Sequence, residues 1–445
     1  MKRILIALLM GVGVSGIRAQ DTLKYWAEKL DRHVGSSVEG YFFENDFWTM
    51  TGKTYHKILN GQFNMIVAGN EMKWDATERQ RNVFDFTKGD ILVDYAETYN
   101  MAVRGHCLQW HQQLPAWINA GLTDGVNNGL YSRDTLLAIL KNHITALATH
   151  WKGKIREWDV VNEVFEGDGT LRESIWKQVI GADYIDSAFV WAHRADPDAL
   201  LFMLEYGAEG MNDKSQGLYN KCQELLGKGI PIHGVGMQCH FTKGDINFYS
   251  VEQNMKRLTN LGLLVSITEL DIRIPVEEFS TEAALQAQAE DYGKLMALFL
   301  DCESCPSFVV WAFSDADSWI PAHTNGTAGQ ACIYNAKYQP KPAYYAILDT
   351  LKARNGVPVA VNRISCSPFS VFPTLVDDHF TVISETGSLE FMTAVITSMA
   401  GKQVAHLQGI KTGEIIPVPE MERGMYVLTL IDPSGKPTMH KFIKQ

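Results

Sequence analysis

The chain has 445 residues, 46% apolar and 20% charged, an ordinary balance for a folded protein with room for a large core and a second, smaller domain. Its net charge of −11 repels phosphate backbones, and no cluster of Lys and Arg offsets it, so nucleic acid is excluded as a partner.

Lys2 and Arg3 precede an apolar run from Ile4 to Val14, which leads into small residues and Ala19-Gln20. That layout predicts a secretory signal peptide over residues 1–19, with a buried N-terminal helix as the structural alternative. The run is too short to span a bilayer as a helix. No other segment reads as a membrane span, so the mature protein is expected to be exported.

From residue 20 to 356, short apolar runs alternate with longer amphipathic ones. Strands are predicted over 34–42, 63–69, 101–110, 155–163, 200–206, 233–240, 263–272 and 308–315. Helices are predicted over 134–151, 282–300 and 341–356, the last stopping at Gly356. The strands are rich in Val, Ile and Leu without alternation, as in a parallel sheet buried on both faces. Strands each followed by a helical or mixed connection predict an α/β fold, a (β/α)₈ TIM barrel. An open doubly wound sheet is the alternative, but its Gly-rich phosphate loop after the first strand is missing.

A barrel places catalytic residues where strands run into their following loops. His106, Trp110, Glu163, Gln238, His240, Glu269 and Trp311 all fall there. Glu163 ends the fourth predicted strand in WDVVNE and Glu269 lies near the end of the seventh in ITELDI. Either alone could be a paired structural charge. Two carboxylates facing each other across a barrel mouth are what glycoside hydrolysis requires, one as proton donor and one as nucleophile or base. Asn162 is placed to donate a hydrogen bond to a sugar hydroxyl or to the nucleophile, while His240 and Asp271 are placed to hold Glu269 ionised and oriented. Trp110, Trp311 and Trp319 offer flat apolar faces to pyranose rings.

RGHCLQWHQQLPAW, WDVVNE, GVGMQCH, ITELDI and VVWAFSDADSW, in this order and with NEMKWDATERQRNVFDFTKGD before them, resemble glycoside hydrolase family 10, the endo-β-1,4-xylanases. The likeness covers nearly all of residues 34 to 350. It implies a retaining double displacement on internal bonds of xylan, with Glu163 as acid/base, Glu269 as nucleophile, and no metal or other cofactor. Asn162 would contact the 2-hydroxyl of the attacked sugar, and His240, paired with Asp271, would hydrogen-bond the nucleophile. Asn70, Lys73, His106 and Gln113 match the family's glycone-side hydrogen-bonding residues. Trp110, Trp311 and Trp319 match its walls, with Gln238 nearby, and Tyr206 falls where an aromatic platform often lies on the aglycone side.

Two departures stand out. The family usually has a glutamate just before NEMKW that helps bind the second glycone sugar, and Gly69 replaces it. A polar hold is then expected to be missing and space to open for a branch, so decorated arabino- or glucuronoxylan should be tolerated. The family's usual Asn-Asp before the tyrosine is Leu204-Glu205, which leaves aglycone specificity open. Mixed-linkage glucan is the alternative substrate, and a non-catalytic glycan-binding surface protein the alternative class.

After a connector, 357–379, the pattern changes to short alternating runs and Gly and Pro turns, predicting a small all-β domain over 380–445. AGKQV, RGMYVL and KFIKQ in it resemble the C-terminal sorting domain of the bacterial type IX secretion pathway. That implies the secretion machinery as a partner and a secreted or cell-surface location. An unrelated β-sandwich is the alternative; its few exposed aromatics, Tyr426 and some Phe, weaken a sugar-binding role. Of the seven cysteines, Cys302 and Cys305 are spaced for a small local disulfide.

Overall fold

The computed structural model describes residues 21–44, 48–119, 131–357 and most of 369–444. The predicted signal segment, much of the predicted connector and Cys366 lie outside these residues. The chain divides into two compact units, Met1–Val359 and Ala360–Gln445.

In the first unit, β1 (His33–Val38), β2 (Met65–Ala68), β3 (Ala102–His106), β4 (Glu157–Asn162), β5 (Leu200–Glu205), β6 (Gly234–Met237), β7 (Leu264–Pro275) and β8 (Ser307–Val310) pair in sequence order. Every pairing is parallel, and β8 returns to β1 with His33 opposite Ser307 and Ser36 opposite Val310. The sheet is therefore closed, a (β/α)₈ barrel, and closure rules out the open doubly wound alternative. β2, β4, β6 and β8 are buried along their whole length, which is why their sequences show no alternation.

The helices follow the same economy of caps and apolar faces. Arg133–His150 begins where the Ser132 hydroxyl accepts the Thr135 N–H, and it buries Leu136, Ile139, Leu140, His143, Ile144 and Leu147 at helical spacing. Each such aliphatic side chain contributes roughly 1.5–3 kcal/mol on leaving water. Glu282–Asp301 starts at the Thr281 cap and ends at Cys302, which is disulfide-bonded to Cys305.

Several predicted strands overran their true ends. The fourth, sixth and eighth stop before Glu163, Cys239 and Ala312, whose φ angles are +56°, +64° and +62°. A left-handed residue cannot continue a strand, and because none of these is glycine the apolar pattern carries no mark of the break. The first predicted strand ends at Val38, and a short helix, Tyr41–Glu44, follows.

The second unit is all-β, with a three-stranded sheet and a five-stranded sheet. Its core includes Phe380, Val382, Ala394, Ile396, Leu428, Leu430 and Phe442. Tyr426, expected from sequence to be exposed, is buried: its ring stacks on Phe442 and its hydroxyl donates to the Glu422 carbonyl. Position 426 lies inside a strand, Gly424–Ile431, whose alternate residues face that core. Among the described residues no helix is long and apolar enough to cross a membrane.

Candidate active site

The polar side chains predicted at the strand ends form linked groups on the C-terminal side of the barrel. Arg104 on β3 lies fully buried between Glu157 and Asp159 of β4, bonded to both carboxylates. Asp159 also accepts from His106 Nδ1 at 3.0 Å. Burial alone would raise the Asp159 pKa, but the Arg104 guanidinium and His106 outweigh it and hold the carboxyl below its usual range. His106 Nδ1 is in turn 3.8 Å from Glu269 Oε1. This charged layer thus runs from the barrel interior to the carboxylate of β7.

At the end of β4, the Asn162 N–H donates to the Gln109 carbonyl and the Glu163 N–H to the Leu204 carbonyl on β5. Arg172 clamps the turn that follows by donating to the carbonyls of Glu163 and Phe165. Gln238 Nε2 donates to Glu163 Oε1 at 3.1 Å and to Asn162 Oδ1 at 3.2 Å. Asn162 Nδ2 has no bond to any described residue, so its hydrogens are available to a ligand.

Glu269, inside β7, is 6% exposed and is held through both backbone and side chain. Its N–H donates to the Gln238 carbonyl at 3.2 Å, and its Oε2 lies 3.2 Å from His240 Nε2. The other imidazole nitrogen is 3.0 Å from Asp271 Oδ2, which also accepts from Trp319 Nε1 at 2.7 Å. Burial opposes protonation of His240, yet Asp271 and Glu269 together raise its pKa to about 10. The ring is therefore an imidazolium at neutral pH, presenting positive charge and an N–H donor to one oxygen of Glu269. The other oxygen, Oε1, is buried and accepts no hydrogen bond among the described residues.

A second group lies around β2 and the loop after β3. Asn70 Oδ1 accepts from Lys73 Nζ at 3.1 Å and from Gln113 Nε2 at 3.2 Å. Lys73 Nζ stands 5.1 Å from the Trp110 ring centre. His106 connects this group to the carboxylates, with its ring 6.5 Å from Trp110 and 5.5 Å from Trp311. Trp319 packs against His240 at 5.0 Å, and the three tryptophans remain partly exposed.

Tyr206, 40% exposed after β5, belongs to a separate group. Its hydroxyl accepts from Arg172 at 3.2 Å and its ring lies 3.4 Å from Lys214 Nζ. Lys214 sits in the first turn of the helix Asp213–Gly227, which starts at a reciprocal Asn212–Ser215 cap, and it pairs with buried Glu205 at 2.7 Å. Glu205 also accepts the N–H groups of Phe165 and Tyr206. Burial raises its pKa to about 7; Lys214 opposes this and the Glu163 charge adds to it. Sequence reading had noted Leu204-Glu205 only as a departure and missed Arg172, Lys214 and Glu209. The Glu209 carboxylate accepts the Cys239 N–H at 3.0 Å, bracing the left-handed turn that aims His240. Glu205 shared the strand-end placement that identified Glu163, whereas loop residues such as Glu209 carry no such mark.

Residues 24–350 match the model of glycosyl hydrolase family 10. The chain is similar to endo-1,4-beta-xylanase B of Thermotoga neapolitana, at 37% identity over 79% of this chain and 97% of that protein. An endo-1,4-beta-xylanase of Agaricus bisporus is 39% identical over 64% of this chain and 83% of its own length. Among solved structures, xylanase 10B of Thermotoga maritima superposes with a TM-score of 0.70 at 38% identity, covering 75% of this chain and 98% of that one. Xylanase 10B of Thermotoga petrophila, solved with xylobiose, gives a TM-score of 0.70 at 37% identity, covering 75% and 98%.

Proposed function

The chain belongs to glycosyl hydrolase family 10, and from that premise we propose that it is a retaining endo-1,4-β-xylanase in which Glu163 is the acid/base and Glu269 the nucleophile. The observation that carries the assignment is the asymmetry of Glu269, with Oε2 tied to the His240 imidazolium and Oε1 unbonded. Oε1 attacks the anomeric carbon while protonated Glu163 gives its proton to the departing glycosidic oxygen. A covalent glycosyl-enzyme results, and water deprotonated by Glu163 then releases the sugar with its configuration retained. Asn162 Nδ2 donates to the 2-hydroxyl of the attacked sugar. Asn70, Lys73, His106 and Gln113 hold the glycone side, Trp110, Trp311 and Trp319 form its walls, and Tyr206 stacks with an aglycone sugar. Neither step calls for a metal or an organic cofactor.

A glycine at 69 removes side-chain bulk beside Asn70, which supports tolerance of arabino- and glucuronoxylan. The signal segment 1–19 and the C-terminal motifs support export, with the C-terminal domain read by a type IX secretion machinery and the enzyme released or held at the cell surface. Deleting residues 380–445 in the native host would then strand xylanase activity inside the cell; unchanged extracellular activity would overturn that part.

Product analysis tests the enzymatic reading. Plain xylan should yield xylo-oligosaccharides of mixed length, released first as the β-anomer, and decorated xylans should be cut as well. Cleavage of mixed-linkage glucan with xylan left intact would transfer the same machinery to another β-glycan. Binding to xylan without any cleavage would leave only a glycan-binding protein.

A further inference from the structure

Glu39 follows β1 and Gly69 follows β2, and the strand register sets them side by side. Val38 lies opposite Ala68, and the Gly69 N–H donates to the Val38 carbonyl at 3.1 Å. The backbone at Glu39 is tied on both sides. Its own N–H reaches the Tyr55 hydroxyl at 3.4 Å, and the Gly40 N–H donates to Glu71 Oε1 at 3.0 Å. A Cβ at position 40 would stand 2.1 Å from that Glu71 oxygen, so glycine lets the carboxylate approach in this position.

The Glu39 carboxylate lies alongside the place where a side chain at 69 would begin: its Oε1 is 3.5 Å from the Cβ position of Gly69, while the Val38 carbonyl, at 2.9 Å, leaves that Cβ little room. It is partly buried, yet it makes no side-chain hydrogen bond or ion pair with any described residue. Burial, then the negative charges of Glu71 and Asp317, raise its pKa to about 7, with Lys73 opposing. A carboxylate confined in this way, without a partner of its own, is costly unless something else bonds to it.

Contacts lead stepwise away from the nucleophile: Glu269 to His106 at 3.8 Å, His106 to the Trp110 ring, Trp110 to Lys73, and Lys73 to Asn70 at 3.1 Å. Gly69 and Glu39 lie beyond the last of these. Resting on the xylanase reading above, we propose that Glu39 supplies the polar hold on the second glycone sugar, the one beyond the sugar that Glu269 attacks. The hold expected to be missing at Gly69 is then moved to the neighbouring strand rather than lost. The segment after β1 then presents to the sugar hydroxyls the carboxylate that position 69 lacks.

Paired substrates separate the two ideas. An aryl β-xyloside places one sugar on the glycone side and an aryl β-xylobioside places two. Glu39→Ala should lower kcat/KM on the xylobioside by about tenfold or more, the scale of a lost hydrogen bond to a charged group, and change the xyloside by less than about threefold. Glu39→Gln, which keeps an acceptor of the same length, should recover part of the loss. Equal effects of Glu39→Ala on both substrates would mark a structural role and overturn the proposal, as would no effect on either. A wild type that cleaves neither these substrates nor xylan would instead overturn the xylanase reading.

Discussion

Glu163, just past β4, and Glu269, within β7, carry the same side chain in different hands. Glu163 is fixed chiefly through its backbone, by the Leu204 carbonyl and by Arg172, and a single neutral amide from Gln238 touches its carboxylate. Glu269 is fixed through its carboxylate, which lies against a protonated imidazole that Asp271 backs. A positively charged imidazole beside one carboxylate and a neutral amide beside the other set their surroundings apart. On the proposed roles, the two glutamates take opposite tasks from their surroundings, not from their chemistry.

The comparison breaks most completely at Glu269. Glu269→Gln should lower turnover on every substrate by on the order of 10⁴- to 10⁶-fold, the scale for loss of a covalent nucleophile, while oligosaccharide binding by calorimetry persists. Glu163→Gln should be milder and selective, costing about 10²- to 10⁴-fold on xylan, as for loss of an acid/base. Glycosylation from an aryl glycoside with a good leaving group needs little protonation, so burst kinetics should show that step largely spared. If both variants lose activity equally on xylan and on the activated substrate, the two roles are not divided as proposed.

His240→Asn sharpens the contrast by removing charge from one strand end only. Loss of a charge-assisted hydrogen bond predicts a fall of about 10- to 100-fold in kcat with little change in KM. The same residue carries a pH signature. Its folded-state pKa is raised from 6.5 to about 10, so its contribution to stability is full below pH 6.5 and is lost as the pH rises toward 10. The wild-type Tm should therefore decline over that interval more steeply than that of His240→Asn. The smallest effect is expected away from both ends. Tyr206→Ala should weaken kcat/KM on long xylo-oligosaccharides by about two- to tenfold, the worth of one aromatic stack, and leave short aryl glycosides unchanged.

The barrel was legible because parallel strands buried on both faces leave dense apolar runs, as in Met65–Ala68 and Ser307–Val310. Glu163 was legible because a strand end is a place that a linear pattern can mark; Glu269, read near the end of its strand, lies inside one that runs on to Pro275. Residues that act across strands were not. Gln238 was read as a strand-end residue near the substrate, but not as the one that bonds the Glu163 carboxylate and accepts the backbone N–H of Glu269. Glu39 was invisible because its significance depends on Gly69 in the adjoining strand. Glu209 and Arg172 act on the backbone of other loops, and partnerships of that kind exist only once the chain has folded.

Gln238 deserves one further step. Its carbonyl holds the backbone of Glu269 and its side-chain amide holds the carboxylate of Glu163, so one residue works as a gauge block between the two. In glycosidases the stereochemical outcome follows the gap between the carboxyls, about 5–5.5 Å for retention and wider for inversion. The gauge here is the reach of a glutamine from its own carbonyl to Nε2. Shortening it by one methylene, as in Gln238→Asn, withdraws the amide from the Glu163 carboxylate without altering either glutamate.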